Sequence, residues 1–382
     1  MILFLGSCAD QISIGNPSSD RTNPTNNHLI RAEWPSGEEQ SERRLQHKDI
    51  ANILHNVEEI EPRRLHGWLD LSVGGGTDRC FGDARRRAER LPQPAMDHNV
   101  YSLGNIAGHN VVVAGLHQPG NSPAAPVVAQ MRMTFPNLRF GMLVGIGGGV
   151  PVKTDNGMIR VGDIVVSKPA GGHSGAVQYD HGKAKVGQFE RTGALAPPPA
   201  VLLNAAQDLA AKRARSRTDP VDDNIKRIDT SIRGLRKYKH PGGAQDHLYK
   251  PDYIHRKPGV PCDDCGCDPS QRIPRPTNDE DEEPYIIVHR GTVASGELVV
   301  KDAKLRDELA KEHGLLCFKM EAAGALADFP CIVIRGISDY CDSHKNDQWH
   351  GFAAAAAAAY ARQLFFHMPI DDVKRCVLAS NS

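Results

Sequence analysis

Two carboxylates lie at the ends of regular elements in the last third of the chain. Glu321 falls in the first turn of a helix predicted over 320–329, and Asp339 follows a β-branched strand predicted over 331–337. In α/β folds, sites form beyond the carboxyl ends of strands. A carboxylic acid there can protonate a leaving group, and a carboxylate can bind hydroxyls and stabilise a developing cation. The structural alternative is a helix-terminal glutamate and a turn aspartate.

The segment that carries both carboxylates resembles a known signature. Residues 317–324 read CFKMEAAG and residues 335–339 read RGISD, which is similar to the Met-Glu and Ser-Asp motifs of the purine nucleoside phosphorylase/uridine phosphorylase superfamily. The subgroup that contains 5′-methylthioadenosine/S-adenosylhomocysteine nucleosidase is especially similar. The resemblance implies that Glu321 binds the ribose hydroxyls and that Asp339 is the general acid to the purine when the N-glycosidic bond breaks. It also implies an α/β fold with a central mixed, partly closed sheet flanked by helices.

Two further motifs fit the same family. The glycine run 145–149 (GIGGG) follows a predicted strand, and 294–297 (ASGE) lies between a predicted strand and a predicted helix over 297–313. By itself the glycine run is as typical of a structural turn as of a binding loop, and 294–297 is as typical of a helix cap as of a binding segment. The resemblance implies that these backbones line the nucleoside pocket. The residues expected there are Gly147, Gly148, Ser295, Gly296 and Met320.

Composition divides the chain into four parts. Residues 1–98 are polar and rich in Asn, Pro and Arg, which predicts loop or disorder with one amphipathic helix over 47–60. The resemblance covers 99–367, interrupted by a polar, Pro-rich insertion at about 212–283 that we expect to be dispensable for chemistry. Residues 368–382 form a tail.

The amino-terminal region departs from the family pattern. Relatives begin with an apolar strand that ends near a catalytic glutamate or a phosphate-binding residue, and residues 1–98 contain no convincing version. The nearest candidate is 69–76 (LDLSVGGG), which lacks the glutamate; the apolar start of the chain is too short for a signal sequence. The loop 119–123 (PGNSP) stands where relatives bind phosphate, yet it offers few donors, which favours water over phosphate as the acceptor.

One cysteine cluster has the spacing of a metal site. Residues 262–267 read CDDCGC, which supplies three thiols, and a fourth ligand would be His255 or His247. Because structural zinc usually needs two spaced ligand pairs, we favour free thiols and predict no metal or organic cofactor. Phosphate stays open as a co-substrate.

Charge and cysteine usage restrict the partners. Lys plus Arg and Asp plus Glu number 46 each, and no apolar run is long enough to span a bilayer, so neither nucleic acid nor membrane is expected. Nine scattered cysteines suit a reducing compartment, and we predict a cytoplasmic protein. The resemblance is closest to nucleoside phosphorylase-like domains of fungal immune-receptor-like proteins, and it implies a homo-oligomer that binds a nucleoside or nucleotide. Two alternatives to an enzyme are a nucleoside-binding sensor without turnover and an oligomerising domain.

Overall fold

The computed structural model describes residues 2–5, 93–275, 286–327 and 329–376. The helix predicted over 47–60 and the strand-like piece at 69–76 lie outside these residues.

The described residues form strands and α-helices in the alternation expected of an α/β protein. The strands are β1 (Ile2–Leu5), β2 (Tyr101–Ile106), β3 (His109–Gly115), β4 (Gly141–Gly149), β5 (Lys153–Thr154), β6 (Gly157–Met158), β7 (Ile164–Ser167), β8 (Ala176–Gln178), β9 (Gly182–Lys185), β10 (Gln188–Arg191), β11 (Val288–Ser295), β12 (Leu315–Lys319) and β13 (Cys331–Asp339). The helices are α1 (Asn121–Thr134), α2 (Ala200–Arg213), α3 (Pro220–Lys226), α4 (Cys262–Cys265), α5 (Ala303–His313), α6 (Ala322–Leu326), α7 (His350–Phe365) and α8 (Ile370–Arg375).

The central sheet is mixed and partly closed, which confirms the predicted fold class. Its strand order is β12-β11-β7-β13-β4-β1-β3-β2, and β12 also pairs with β4, so that five strands close on themselves. Strands β4 and β13 run parallel, whereas β12 is antiparallel to β4 and β7 is antiparallel to β13. The β1, β3 and β2 strands extend the sheet beyond the closed part.

The sequence predicts no recognisable first strand, and this prediction is wrong because Ile2–Leu5 forms one. Strand β1 lies between β3 and β4 and is parallel to both, with Ile2 opposite Val112 and Gly141. A short continuous apolar run is typical of a parallel strand inside a sheet. Four residues are too few to show periodicity, and the pairing partners are more than a hundred residues away, so local sequence could not reveal the strand.

Two element boundaries differ from the predictions near the carboxylates. The glycine run 145–149 is the end of β4 rather than a turn, because it pairs with β13 on one side and β12 on the other. Helix α5 begins at Ala303 instead of 297, since the Asp302 carboxylate accepts hydrogen bonds from the N–H groups of Lys304 and Leu305 and caps the helix there.

The alanine-rich helix α7 packs on the strands that carry the candidate site. Ala353, Ala356 and Ala357 are fully buried, and the Ala353 carbonyl lies so close to Gly336 of β13 that no side chain fits between them. This close approach fixes the position of β13 and of Asp339 at its end. Within the described residues no helix has the length and apolar character needed to cross a membrane.

Candidate active site at the end of the central strands

Asp339 is the last residue of β13 and its carboxylate is held by three donors. Ser338 Oγ and Lys345 Nζ each donate to Oδ2 at 2.8 Å, and the Cys341 N–H donates to Oδ1 at 3.0 Å. The Cys341 N–H reaches back because Cys341 has a φ of 52°, a left-handed conformation that is uncommon for a residue other than glycine. The chain therefore turns sharply after β13 and encloses the Asp339 carboxylate.

The surroundings of Asp339 favour its ionised form. Burial by itself raises the pKa of this carboxyl, but the charge and hydrogen bond of Lys345, together with the Cys341 N–H, outweigh burial and hold the pKa below its usual value. Asp342 behaves in the opposite way, since burial raises its pKa to about 6. The loop that follows β13 therefore contains two carboxyl groups whose pKa values are pushed apart, a pattern that is common at acid–base sites.

A cavity opens beside Asp339 on the side of this loop. Its walls come from the end of β13, from the segment that follows, and from the insertion. The lining residues are Val161, Gln245, His247, Cys262, Ser338, Asp339, Tyr340, Asp342, His344, Lys345, Asn346, Gln348 and Trp349. Asp339 is thus the one predicted site residue in the lining of this cavity, as far as the described residues show.

Glu321 lies at the other end of the candidate site, just after β12. It is the N-cap residue of α6, one residue before the helix instead of within its first turn, and only 5% of it is exposed. Arg335 Nη2 donates to Glu321 Oε2 at 3.0 Å, and Lys319 Nζ lies 4.0 Å from the same oxygen. Burial, followed by the Arg335 charge, lowers the pKa of Lys319 well below its usual value against the opposing effect of Glu321.

The glycines at the end of β4 pack closely against β13, the strand that carries Asp339 and the partner of Glu321. Gly148 is opposite Asp339 in the sheet, and a Cβ on Gly148 would lie 2.7 Å from Asp339 Oδ1. A Cβ on Gly147 would lie 3.3 Å from Cβ of Arg335, the partner of Glu321. Glycine at both positions is therefore required for the close approach of β4 to β13.

Ser295 and Gly296 connect the Glu321 end of the site to helix α1. Ser295 Oγ donates to Asn121 Oδ1 at 3.0 Å and accepts from the Ala323 N–H at 2.9 Å, so Ser295 does not cap the helix that follows it in sequence. Gly296 packs against the ring of Tyr179, where a Cβ would clash. Met320 is half buried beside Glu321. The Asn121 Nδ2 group has no acceptor within the described part of the chain.

The insertion packs against the cavity. Its contacts there argue against the prediction that it is dispensable for chemistry. Tyr340 donates to Asp246 and accepts from Arg275 Nη2 at 2.7 Å. Trp349 Nε1 donates to the Gln245 carbonyl at 3.1 Å. Because these contacts fix the segment after Asp339, we expect replacement of 215–280 by a short linker to impair the site. The thiols of 262–267 also lie in this part, near His255.

Sequence reasoning missed the charged partners of the two carboxylates. Lys345, the partner of Asp339, lies in the block 339–351, which matched the family pattern but suggested no roles for individual residues. Arg335 lies among apolar residues in a buried strand. A buried arginine at such a position indicates a buried acidic partner. The Lys345 contact has no comparable signal, because it depends on the turn at Cys341.

Two relatives resemble parts of the chain. Over 274 residues it is 41% identical to a nucleotide-binding leucine-rich repeat (NLR)-like protein of Hyaloscypha variabilis, a match that covers 71% of this chain and 26% of the relative. Over 88 residues it is 38% identical to the ATP nucleosidase Cap17 of Escherichia coli, covering 22% of this chain and 17% of that protein. The chain therefore spans about a quarter or less of the length of these relatives.

A solved structure with a similar arrangement is 5′-methylthioadenosine/S-adenosylhomocysteine nucleosidase from Neisseria meningitidis in complex with methylthio-immucillin-A. The alignment covers 72% of this chain and 89% of that chain, with 17% sequence identity and a TM-score of 0.43. No family model matches the chain. The resemblance predicted from the sequence is confirmed, because the relatives found are a nucleosidase and a fungal NLR-like protein.

Proposed function

We infer that the chain cleaves the N-glycosidic bond of a purine nucleoside or nucleotide, with Asp339 as the general acid to the base and Glu321 as the group that binds the ribose hydroxyls. The observation that carries this proposal is the pair of buried carboxylates, one at the end of β13 and one just after β12, each paired with a cation. Similarity to an ATP nucleosidase supports a purine nucleotide among the substrates. Chromatographic detection of free base tests the proposal.

The proton that Asp339 delivers comes from Lys345 in this mechanism. Asp339 is ionised in the free site, and Lys345 Nζ lies 2.8 Å from its Oδ2. When the base covers the carboxylate, the loss of water disfavours the separated charges, and a proton moves from the ammonium to Oδ2. Asp339 then protonates N7 of the purine while the electrons of the C1′–N9 bond go to the base. Water adds to C1′, and the proton it loses restores the lysine ammonium.

Lys345→Met tests this proton path through the pH dependence. The variant lacks the ammonium group that would protonate Asp339, so its turnover at neutral pH should fall by about tenfold to a hundredfold. A general acid must be protonated, and burial without the lysine charge raises the pKa of Asp339. The lost activity should therefore return as the pH is lowered, while the wild type changes less over the same range. Steady-state rates of base release across the pH range give the measurement.

Lys311→Met is the matched control, because Lys311 is an exposed lysine on α5. It should retain the wild-type rate and pH profile. If Lys345→Met had a reduced rate with a pH profile parallel to that of the wild type, Lys345 would only position the loop and would not supply the proton.

Water is the proposed acceptor, because a carboxylate occupies the place where phosphate would bind. The N–H groups of Asn121 and Ser122 at the start of α1 both donate to Glu297 Oε1, at 2.9 and 3.1 Å. These N–H groups have no acceptor within the helix, and they are the donors that a helix N-terminus offers to an anion. A phosphate ion would have to displace the Glu297 carboxylate and would meet its negative charge.

Base release should therefore proceed at similar rates in phosphate-free buffer and in buffer that contains phosphate. The products should be free base and free ribose or ribose 5-phosphate, depending on the substrate. Coupled detection of ribose 1-phosphate gives the decisive comparison. A strict requirement for phosphate, with ribose 1-phosphate as the sugar product, would establish phosphorolysis instead.

A sensor without turnover is the second candidate, and the similarity to an NLR-like protein favours it. In that case a nucleoside would bind between the same carboxylates and raise the unfolding temperature, but no base would be released. A purely oligomerising domain would show neither response.

A further inference from the structure

Three cysteines and a histidine of the insertion converge on one point. Cys262 and Cys265 are three residues apart on the single-turn helix α4, which places them on one face. Gly266 follows in the left-handed conformation, with a φ of 68°, and turns the chain so that Cys267 joins them. The His255 ring approaches from the preceding loop, and its Nε2 lies 3.0 Å from Cys265 Sγ.

The distances between these atoms fit a single tetrahedral ion. The ligand atoms of His255, Cys262 and Cys267 all lie within 4.8 Å of one another, and Cys265 Sγ is 3.3 Å from Cys267 Sγ. Zinc binds thiolate at about 2.3 Å and imidazole at about 2.0 Å, so the ligand atoms of a tetrahedron with three sulfurs and one nitrogen are about 3.5 to 3.8 Å apart. All three cysteines are free rather than disulfide-bonded. Small movements are sufficient to place the four ligands around one ion.

The apolar core around the cysteines is small. The apolar cluster around the cysteines contains only Tyr249 and Tyr253 besides the thiols themselves. The regular structure between 240 and 275 is limited to α4, the two 3-10 turns Gly243–Gln245 and Pro269–Gln271, and an antiparallel bridge between Tyr249 and Arg272. Segments with so small a core commonly rely on a metal or on disulfides for their order.

We propose that His255, Cys262, Cys265 and Cys267 bind one zinc ion as a structural site. Four protein ligands complete a tetrahedron and leave no position for a substrate, which is the arrangement of structural zinc. Three soft thiolates with one imidazole also select zinc over magnesium or calcium. Coordination through Nε2 moves the ring proton of His255 to Nδ1, so the 3.1 Å contact with the Lys257 N–H opens when the metal binds.

The ion would connect the insertion to the wall of the candidate active site. The backbone N–H of His255 donates to Ser343 Oγ at 2.9 Å. The His255 ring packs edge-on against the ring of His344, with 5.0 Å between the ring centroids. The ring of Tyr249, also in the insertion, stacks face to face on the ring of His344, with 4.1 Å between the ring centroids. His344 itself lines the cavity beside Asp339. The metal therefore holds the loop that follows Asp339 as well as the insertion.

Elemental analysis of the full chain, purified without chelators, tests the site directly and does not depend on enzymatic activity. We expect about one zinc per chain, as the four-ligand set requires. Replacement of zinc by cobalt should give the visible bands of a tetrahedral ion and a near-ultraviolet thiolate charge-transfer band. Cys265→Ser should weaken zinc binding at least tenfold, measured by competition with a colorimetric chelator, and reduce the charge-transfer intensity.

Cys376→Ser is the matched control, because Cys376 lies in the C-terminal part, outside the cluster. It should keep full zinc content. The cobalt spectrum of the wild type keeps the test informative if Cys265→Ser does not fold. Wild-type chain without zinc and without a tetrahedral cobalt spectrum on titration would overturn the proposal, as would undiminished zinc affinity in folded Cys265→Ser. A disulfide between Cys265 and Cys267 in the purified protein would also overturn it.

Discussion

Asp339→Asn should reduce turnover on purine nucleosides by about a hundredfold or more and change substrate affinity only a few-fold. Asparagine keeps the size of the side chain, and its Oδ1 can still accept from the Cys341 N–H while its Nδ2 faces Ser338 Oγ, but it has no carboxylic proton to give to N7. The loss should therefore appear in kcat. It should also depend on the base, because a base that leaves easily without protonation needs no general acid. Rates for a series of substrates with different leaving bases give this measurement.

Asp347→Asn controls for removal of one negative charge from the same loop, since the Asp347 side chain is 61% exposed. It should leave the rate near that of the wild type. Equal sensitivity of all substrates to Asp339→Asn would argue against proton transfer to the base. A folded Asp339→Asn protein with full activity would mean that the carboxylate serves only the turn at Cys341.

Glu321→Gln should weaken both substrate binding and turnover, with kcat/KM reduced by roughly a hundredfold. The carboxylate would accept hydrogen bonds from the two ribose hydroxyls and stabilise the positive charge that develops on the sugar, and the amide does neither as well. The substitution also leaves Arg335 without its buried partner, and loss of one member of such a pair costs about 3–5 kcal/mol. The unfolding temperature should fall together with the activity, so both must be measured.

A 2′-deoxy substrate separates the ribose contact from this structural effect. The wild type should prefer the ribonucleoside, and Glu321→Gln should lose most of that preference. Glu312→Gln, at a 65% exposed glutamate on α5, should preserve it. If the preference for the ribonucleoside were the same in Glu321→Gln and in the wild type, Glu321 would act only through its ion pair with Arg335.

Local pattern was sufficient to predict the elements that carry the two carboxylates. The β-branched run of β13, the alanines of α7 and the hairpin of β2 and β3 are each encoded within a short stretch of sequence. Strand β1 could not be predicted in the same way, because it is recognisable only through its distant partners β3 and β4. The extent of β4 through its glycines was missed for the same reason.

The two carboxylates were proposed as site residues from sequence alone, whereas their surroundings could not be predicted. The contact of Lys345 with Asp339 depends on one left-handed residue, and the contact of Glu297 with the start of α1 joins residues far apart in the chain. The role of the insertion is a further example: its polar, Pro-rich composition predicts a loop, but not that Gln245, His247 and Cys262 line the cavity. Side-chain partners across the fold are set by packing rather than by local composition.

Chromatography of the products from a panel of purine nucleosides and nucleotides, incubated with the chain in phosphate-free buffer, tests the central claim most directly. The panel includes adenosine, guanosine, their 5′-phosphates and ATP. We expect free purine base to accumulate with at least one of them, and Asp339→Asn to suppress this release. No release of base from any member, together with a rise in unfolding temperature on addition of a nucleoside, would contradict the account and identify the site as a sensor.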